Sequence, residues 1–184
     1  MDERPYPNLA GINYESMVDG RGVRTAIFLS GCFHHCPGCQ NPGTWDPYSG
    51  VEITEDLLRE IADSIIKRPF LSGITLTGGD PLYDRYRTRR FLRDLLKLLP
   101  EDRNRLNVWL YTGFTFEEVL LILEEEADEF DPPLADLLSM VDVMVDGRFD
   151  MGQKDKRLKF RGSRNQRILN VKDSLLSHTP ILLK

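Results

Sequence analysis

Three cysteines, the only ones in the chain, stand within eight residues: Cys32, Cys36 and Cys39, in Ser30-Gly31-Cys32-Phe33-His34-His35-Cys36-Pro37-Gly38-Cys39-Gln40-Asn41. The spacing is C-x3-C-x2-C, with turn-forming residues between the thiols. Thiolates are soft ligands suited to iron–sulfur clusters, zinc or Cu(I). A [4Fe–4S] cluster is commonly held by four cysteines. This chain can offer three, so a cluster here leaves one iron without a protein thiolate and open to another ligand. Two other readings stand beside it: a Cys3His zinc site completed by His34 or His35, and thiols that bind no metal. An odd number of cysteines in one short loop does not make a disulfide framework. A reducing cytoplasm is the expected setting, and an exposed cluster there also needs low oxygen.

Other chemistry-bearing segments sit where β-prone runs end. Gly78-Gly79-Asp80-Pro81 follows Gly73 to Thr77, Thr112-Gly113 follows Asn107 to Tyr111, and Asp146-Gly147-Arg148 follows Val141 to Val145. Glycine at such places lets the backbone approach a ligand closely, although Gly-Gly-Asp-Pro alone reads as an ordinary turn.

The elements that must position these loops alternate along the chain. Gly11 to Arg24 reads as a short strand and a glycine-punctuated turn at Asp19 to Gly22. Arg24 to Ser30 contains Ala-Ile-Phe-Leu, a continuous apolar run that fits a strand buried on both faces and leads into the cysteine loop. Breakers fill Asn41 to Pro47. Thr54 is an N-cap, with Glu55 and Asp56 in the first turn. Leu57, Leu58, Ile61, Ala62, Ile65 and Ile66 recur at helical spacing until Pro69. A second helix runs from about Tyr86 to Leu99 and ends at Pro100. Thr115 and Glu118 form a capping box ahead of a stripe of Phe116, Val119, Leu120 and Leu123. Glu124 to Glu126 reads as a solvated face. A short helix follows Asp131-Pro132 with proline at its first position. A last strand spans Arg167 to Val171, and Trp45 and Trp109 read as core.

The expected fold class is α/β, with a mostly parallel sheet and right-handed crossovers. Eight repeats do not fit 184 residues, so an incomplete, partial β/α barrel is expected rather than a closed one. No interdomain linker is visible. The chain reads as one domain, 1–184, with a short N-terminal strand and turn over 1–23 and a basic C-terminal segment over 150–184.

Composition excludes several function classes. Hydrophobic residues make up 41% and charged residues 29%, an ordinary globular balance. Lys plus Arg total 24 against 29 Asp plus Glu, a net charge of −5, which argues against a general nucleic-acid binder. No apolar run reaches the roughly 18 residues of a membrane span. Met1 to Asn8 is polar and holds two prolines, unlike a secretory signal.

Taken together, the cysteine spacing and the Gly-Gly-Asp-Pro strand end resemble the radical S-adenosylmethionine (SAM) superfamily. Further segments are similar to one family within it, the activating proteins of anaerobic ribonucleoside-triphosphate reductases. These are Ser-Gly-Cys-x-His-x-Cys-Pro-Gly-Cys, then Asn41 and Thr44-Trp45, Thr-Gly-Gly-Asp-Pro-Leu at 77–82, Thr-Gly-Phe at 112–114, Val-Asp-Gly-Arg-Phe at 145–149, and Arg-Gly-Ser-x-Asn-Gln-Arg at 161–167. The matching motifs span residues 19 to 167.

The resemblance implies a barrel of the radical SAM type and a set of roles. Cys32, Cys36 and Cys39 would hold three irons of a [4Fe–4S] cluster, and the fourth would chelate the methionine end of SAM. The Gly78-Gly79-Asp80 loop would meet the methionine amino group, chiefly through the Gly79 backbone. Gly38, Cys39 and Gln40 would line the adenine side. Asp146 and Arg148 would contact ribose and carboxylate. The wider superfamily often has an aromatic residue before the third cysteine; this chain has Gly38, so stacking on adenine must come from elsewhere. Reductive cleavage of SAM would give a 5′-deoxyadenosyl radical, which takes a hydrogen atom from a glycine of the partner reductase. An electron donor such as flavodoxin or ferredoxin is implied. A bulky residue at Gly79 is expected to obstruct SAM while leaving the cluster in place. Neither His34 nor His35 is given a ligand role.

Alternatives remain open at this point. One is an activase for another glycyl-radical enzyme, or a radical SAM enzyme acting on a small molecule. Another, of a different class, is a Cys3His zinc-knuckle RNA-binding module, suggested by Lys154, Lys156, Arg157, Lys159, Arg161, Arg164 and Arg167. That basic stretch also reads as a mobile surface loop, facing either solvent or the partner.

Overall fold

A computed structural model of the chain describes residues 4–100 and 106–184; residues 1–3, part of the expected N-terminal segment, and 101–105 lie outside it. Among the described residues, seven strands form one mixed sheet: β1 (Asn8–Ser16), β2 (Arg24–Leu29), β3 (Val51–Glu52), β4 (Gly73–Gly78), β5 (Asn107–Tyr111), β6 (Val143–Asp146) and β7 (Arg167–Asn170), in the spatial order β3-β1-β2-β4-β5-β6-β7. The four inner strands β2, β4, β5 and β6 run parallel. The outer strands β1, β3 and β7 pair antiparallel. The sheet is therefore mostly parallel at its middle, and it runs from one edge to the other without closing.

Parallel strands need crossovers, and helices supply them: α1 (Glu55–Ile66), α2 (Arg85–Leu98), α3 (Phe116–Glu126) and α4 (Pro133–Ser139), with α5 (Val171–Ser177) after β7. Thr54 caps α1 through the Leu57 N–H, and Thr115 and Glu118 complete the expected capping box on α3. Pro133, rather than Pro132, takes the first position of α4, and Pro132 is its N-cap. The helix α5 carries no strong apolar repeat and is legible only from Asn170, whose side chain accepts from the Asp173 N–H.

Alternation along the strands sorts the core into two layers. Ile27, Ile74, Leu76, Val108, Leu110 and Met144 join Leu58, Ile61, Phe91, Leu95, Val119 and Leu137 of the helices in one cluster. The opposite face carries Trp109, Val143 and Val145, covered by Tyr111, Phe160, Ile168 and Leu183. Trp109 is core, as expected. Trp45 instead lies half-buried in the cysteine loop, its ring stacked 4.6 Å from that of His35.

Glu126 departs from the solvated face expected of its neighbours. It is 3% exposed and accepts from Arg85 Nε at 2.7 Å and from the Leu134 N–H at 2.9 Å. It thus ties α2, α3 and the start of α4 together. Periodicity gives no warning of this, because the partners come from distant segments.

Candidate metal centre

Because β2, β4, β5 and β6 are parallel, their C-terminal ends lie on one edge of the sheet. The cysteine loop follows β2 there. Its base is fastened by backbone: the Gly31 N–H donates to the Thr44 carbonyl at 2.8 Å and the Cys32 N–H to that of Trp45 at 3.0 Å. Gly31, His35 and Gly38 have positive φ, which turns the chain tightly enough to keep three thiols close in sequence on one loop. The three cysteines are half-buried and free of disulfides. The Asn41 N–H lies 3.4 Å from Cys39 Sγ, a donor suited to a thiolate. Burial pushes the Cys32 thiol above its ordinary pKa, against the pull of the backbone at His34 and His35.

Among the described residues, no three His, Cys, Asp or Glu side chains converge to hold a single metal ion. A [4Fe–4S] cluster spreads its cysteines over separate irons, so it does not need that convergence. The donor set of three free, soft thiols on one partly exposed loop fits such a cluster.

The β4 loop is locked against the base of the cysteine loop. The Gly79 N–H donates to the Leu29 carbonyl and the Asp80 N–H to that of Gly31, both at 2.7 Å. Gly78 has φ +103, and a Cβ there would strike the β2 backbone at Leu29. Asp80 is buried, and its carboxylate accepts from Leu82 N–H, Thr112 Oγ1, Gly113 N–H and His34. Residues predicted from the cysteine and Gly-Gly-Asp motifs are thus brought together.

His34 does not face the thiols as a free ligand. Its Nε2 lies 2.8 Å from Asp80 Oδ2 and its Nδ1 lies 3.2 Å from Arg148 Nε. Both ring nitrogens are engaged, and His35 stacks on Trp45. The Cys3His zinc arrangement is not favoured by this geometry.

The motifs at 145–149 and 161–167 join each other beside the loop. Asn165 and Gln166 donate to the carbonyls of Arg148 and Gly147 at 2.8 and 3.0 Å, and the Asp150 N–H donates to Ser163 Oγ at 3.1 Å. This joins the β6 loop to the basic segment. A Cβ on Gly38 would lie 1.9 Å from Met151 Cε and 3.6 Å from the Phe149 ring, and one on Gly162 would lie 3.4 Å from Gln40 Nε2. Gly38 and Gln40 therefore sit beside Phe149, Met151 and Gly162.

Asp146 and Arg148 are placed less simply. Asp146 is buried, and its carboxylate accepts from Arg167 and the Phe116 N–H. Arg148 pairs with Glu118 at 3.0 Å as well as with His34. Sequence reasoning singled out Thr112-Gly113 and the motif ending at Phe149 but not the contacts they make, and it missed Met151, which no motif contains.

The basic segment, expected as a mobile surface loop, carries a set of contacts of its own. Lys154 and Ser163 form a β-bridge, Asp155 is gripped by Arg157 and Arg164, and Arg161 donates to the Gln166 carbonyl at 2.6 Å. A cavity of about 630 Å³ opens at the other edge of the sheet, lined by Asn107, Asp142, Val171 and Leu176 among others, and holds none of these residues.

Comparison with known proteins follows the same lines. The family model described as a 4Fe-4S single cluster domain matches residues 18–169. The anaerobic ribonucleoside-triphosphate reductase-activating protein of Enterobacteria phage T4 is 33% identical over 161 residues, covering 88% of this chain and 92% of that protein. The proteins of the same name from Escherichia coli K12 and Pasteurella multocida are 34% and 35% identical, over 82% of this chain and 90% and 89% of theirs.

Proposed function

The chain belongs to the family of anaerobic ribonucleoside-triphosphate reductase-activating proteins, and from that premise we propose that it is the SAM-dependent iron–sulfur enzyme that generates the glycyl radical on such a reductase. The observation that carries this reading is the meeting of a loop of three free thiols with a Gly-Gly-Asp loop pinned to its base. The reading takes the open sheet as a partial β/α barrel of the radical SAM type, in a reducing cytoplasm, served by a donor such as flavodoxin or ferredoxin.

Cys32, Cys36 and Cys39 would hold the [4Fe–4S] cluster. With SAM bound, the cluster would supply the chemistry of one-electron reductive cleavage of the sulfonium, the electron coming from the external donor, to give methionine and a 5′-deoxyadenosyl radical. The chain's own residues bind and orient. The Gly79 N–H is already used by the Leu29 carbonyl, so Gly79 would meet the N–H groups of the methionine amine through its carbonyl oxygen. Gly38, Gln40, Phe149 and Met151 would form the adenine wall, the last two supplying the apolar surface that Gly38 lacks and excluding water. Arg148 would offer a guanidinium edge toward ribose or carboxylate while its Nε stays on His34. Asp146, held by Arg167, would act by shaping the β6 loop. The segment over 150–184 would face the reductase.

The test is an anaerobic assay with the reductase, reading SAM cleavage and the glycyl-radical EPR signal. The wild-type protein, brown when prepared without oxygen, is expected to give both. Cys32→Ser, Cys36→Ser and Cys39→Ser are each expected to give neither, because a hydroxyl is a poor substitute for a soft thiolate. A radical formed only on a different glycyl-radical enzyme would move the reading to that partner.

A further inference from the structure

Asp80 is 2% exposed, and the donors that reach it come from three loops. Leu82 N–H takes Oδ1 at 2.8 Å. Thr112 Oγ1, Gly113 N–H and His34 Nε2 reach Oδ2 at 3.0, 2.9 and 2.8 Å. Two come from the β5 loop and one from the cysteine loop. Beyond the imidazole, Arg148 Nε stands 3.2 Å from His34 Nδ1. An arginine N–H can only donate, so Nδ1 is the acceptor and the ring proton sits on Nε2, aimed at Asp80. The His34 side chain is 4% exposed. Gly113 is shaped around it: a Cβ there would lie 2.3 Å from His34 Cδ2.

Among the described residues, His34 makes the side-chain hydrogen bonds that tie the segment 32–39 to the neighbouring strand-end loops. It sits between Cys32 and Cys36, so its orientation sets that of the peptide carrying both thiols. Asp80 follows Gly79 directly. We propose that His34, held as the Nε2–H tautomer between Asp80 and Arg148, is a positioning residue that sets the cysteine loop in register with the Gly79 backbone, so that one ligand can reach both. This rests on reading the site as a SAM centre. Asp80 then serves through its hydrogen bonds to its own scaffold, with all of them filled before any ligand arrives.

The test uses cluster-loaded protein prepared without oxygen, and reads iron per chain, SAM affinity by equilibrium dialysis, the change that SAM causes in the EPR spectrum of the reduced cluster, and the thermal midpoint. His34→Ala is expected to keep its iron but bind SAM about tenfold more weakly, the size of one lost buried hydrogen bond. His34→Gln, whose amide N–H can still reach Asp80, is expected to recover to within about threefold of wild type. Gly113→Ala, which removes no donor and only displaces the ring, is expected to resemble His34→Ala. In both weakened variants the SAM-induced EPR change should need more SAM to develop. The proposal is overturned if His34→Ala binds SAM like wild type and shows only a lower midpoint, or if His34→Gln binds no better than His34→Ala. Loss of iron from His34→Gln would also overturn it, making His34 a metal ligand. Failure of the wild-type protein itself to bind SAM would instead overturn the SAM reading.

Discussion

At the scale of single residues, the tightest demand that backbone atoms place on a glycine of the site falls on Gly79. A methyl group there would lie 2.4 Å from the Gly31 carbonyl oxygen and 2.9 Å from that of Thr44. Both obstacles are backbone, and both belong to the base of the cysteine loop. A side chain at Gly79 thus strikes the protein before it can meet a ligand, and the expectation that a bulky residue spares the cluster is revised. Gly79→Ala is expected to lower iron content and SAM affinity together. Gly43→Ala is the matched control, because a Cβ there meets nothing within 4 Å, and it should leave both unchanged. Iron analysis and SAM dialysis on the two variants check this. Normal iron with weak SAM binding in Gly79→Ala would restore the simpler picture of a purely ligand-facing glycine.

At the scale of elements, Arg167 joins β7 to the start of α3. Its guanidinium reaches Asp146 at 2.5 Å and Glu117 at 2.7 Å. The hydrogen bond from Arg167 is the main reason that the Glu117 carboxyl is held at about 2, below its ordinary 4.5. A depressed carboxylate contributes stability that is complete above the unfolded value and is lost as pH falls through the folded one. Glu117 should therefore stabilise the fold fully above about pH 4.5 and lose that contribution on acidification toward pH 2. Its side chain is 56% exposed, so solvent screening keeps the effect to about 1 kcal/mol or less. The unfolding free energies of wild type and Glu117→Gln should differ most near neutral pH and converge in acid. A difference that persists unchanged at pH 3 would show that the pairing contributes nothing specific to the charged form.

At the scale of the whole molecule, charge is unevenly spread. The protein has a net charge of −5, yet seven Lys and Arg lie between 154 and 167 with one acidic residue, Asp155. The structure separates these cations into two sets. Arg157, Arg161, Arg164 and Arg167 are occupied in holding the segment together or to α3. Lys154, Lys156 and Lys159 are exposed, on a segment that leans on Gly38 through Met151. They are the cations free to meet an acidic partner surface. Reversing all three to Glu is expected to spare SAM cleavage by the isolated protein while slowing glycyl-radical formation about tenfold at low salt, with the gap narrowing as salt rises. Arginine replacements in this segment are a poorer probe, since they unfasten it. Equal loss of SAM cleavage in the lysine variant would assign the lysines to the site itself.

The linear order of residues determined much of this protein. Local chemistry names the three thiols, the glycine-bearing turns after β4, β5 and β6, the Thr54 cap and the Thr115–Glu118 capping box, because each depends on neighbours a few residues away. The alternation of strands and helices implies parallel inner strands, and parallel strands place all those turns on one edge. Tertiary structure alone decided what the side chains at that edge do. His34, Asp80, Thr112 and Arg148 are separated by up to 114 residues, and no local pattern shows that an imidazole will lie between a carboxylate and a guanidinium. The same holds for buried Glu126, for Asp146 consumed by Arg167, and for the basic segment closed on Asp155. A polar side chain's role is set by which donors and acceptors surround it once water is gone, and that company is assembled only when the sheet forms.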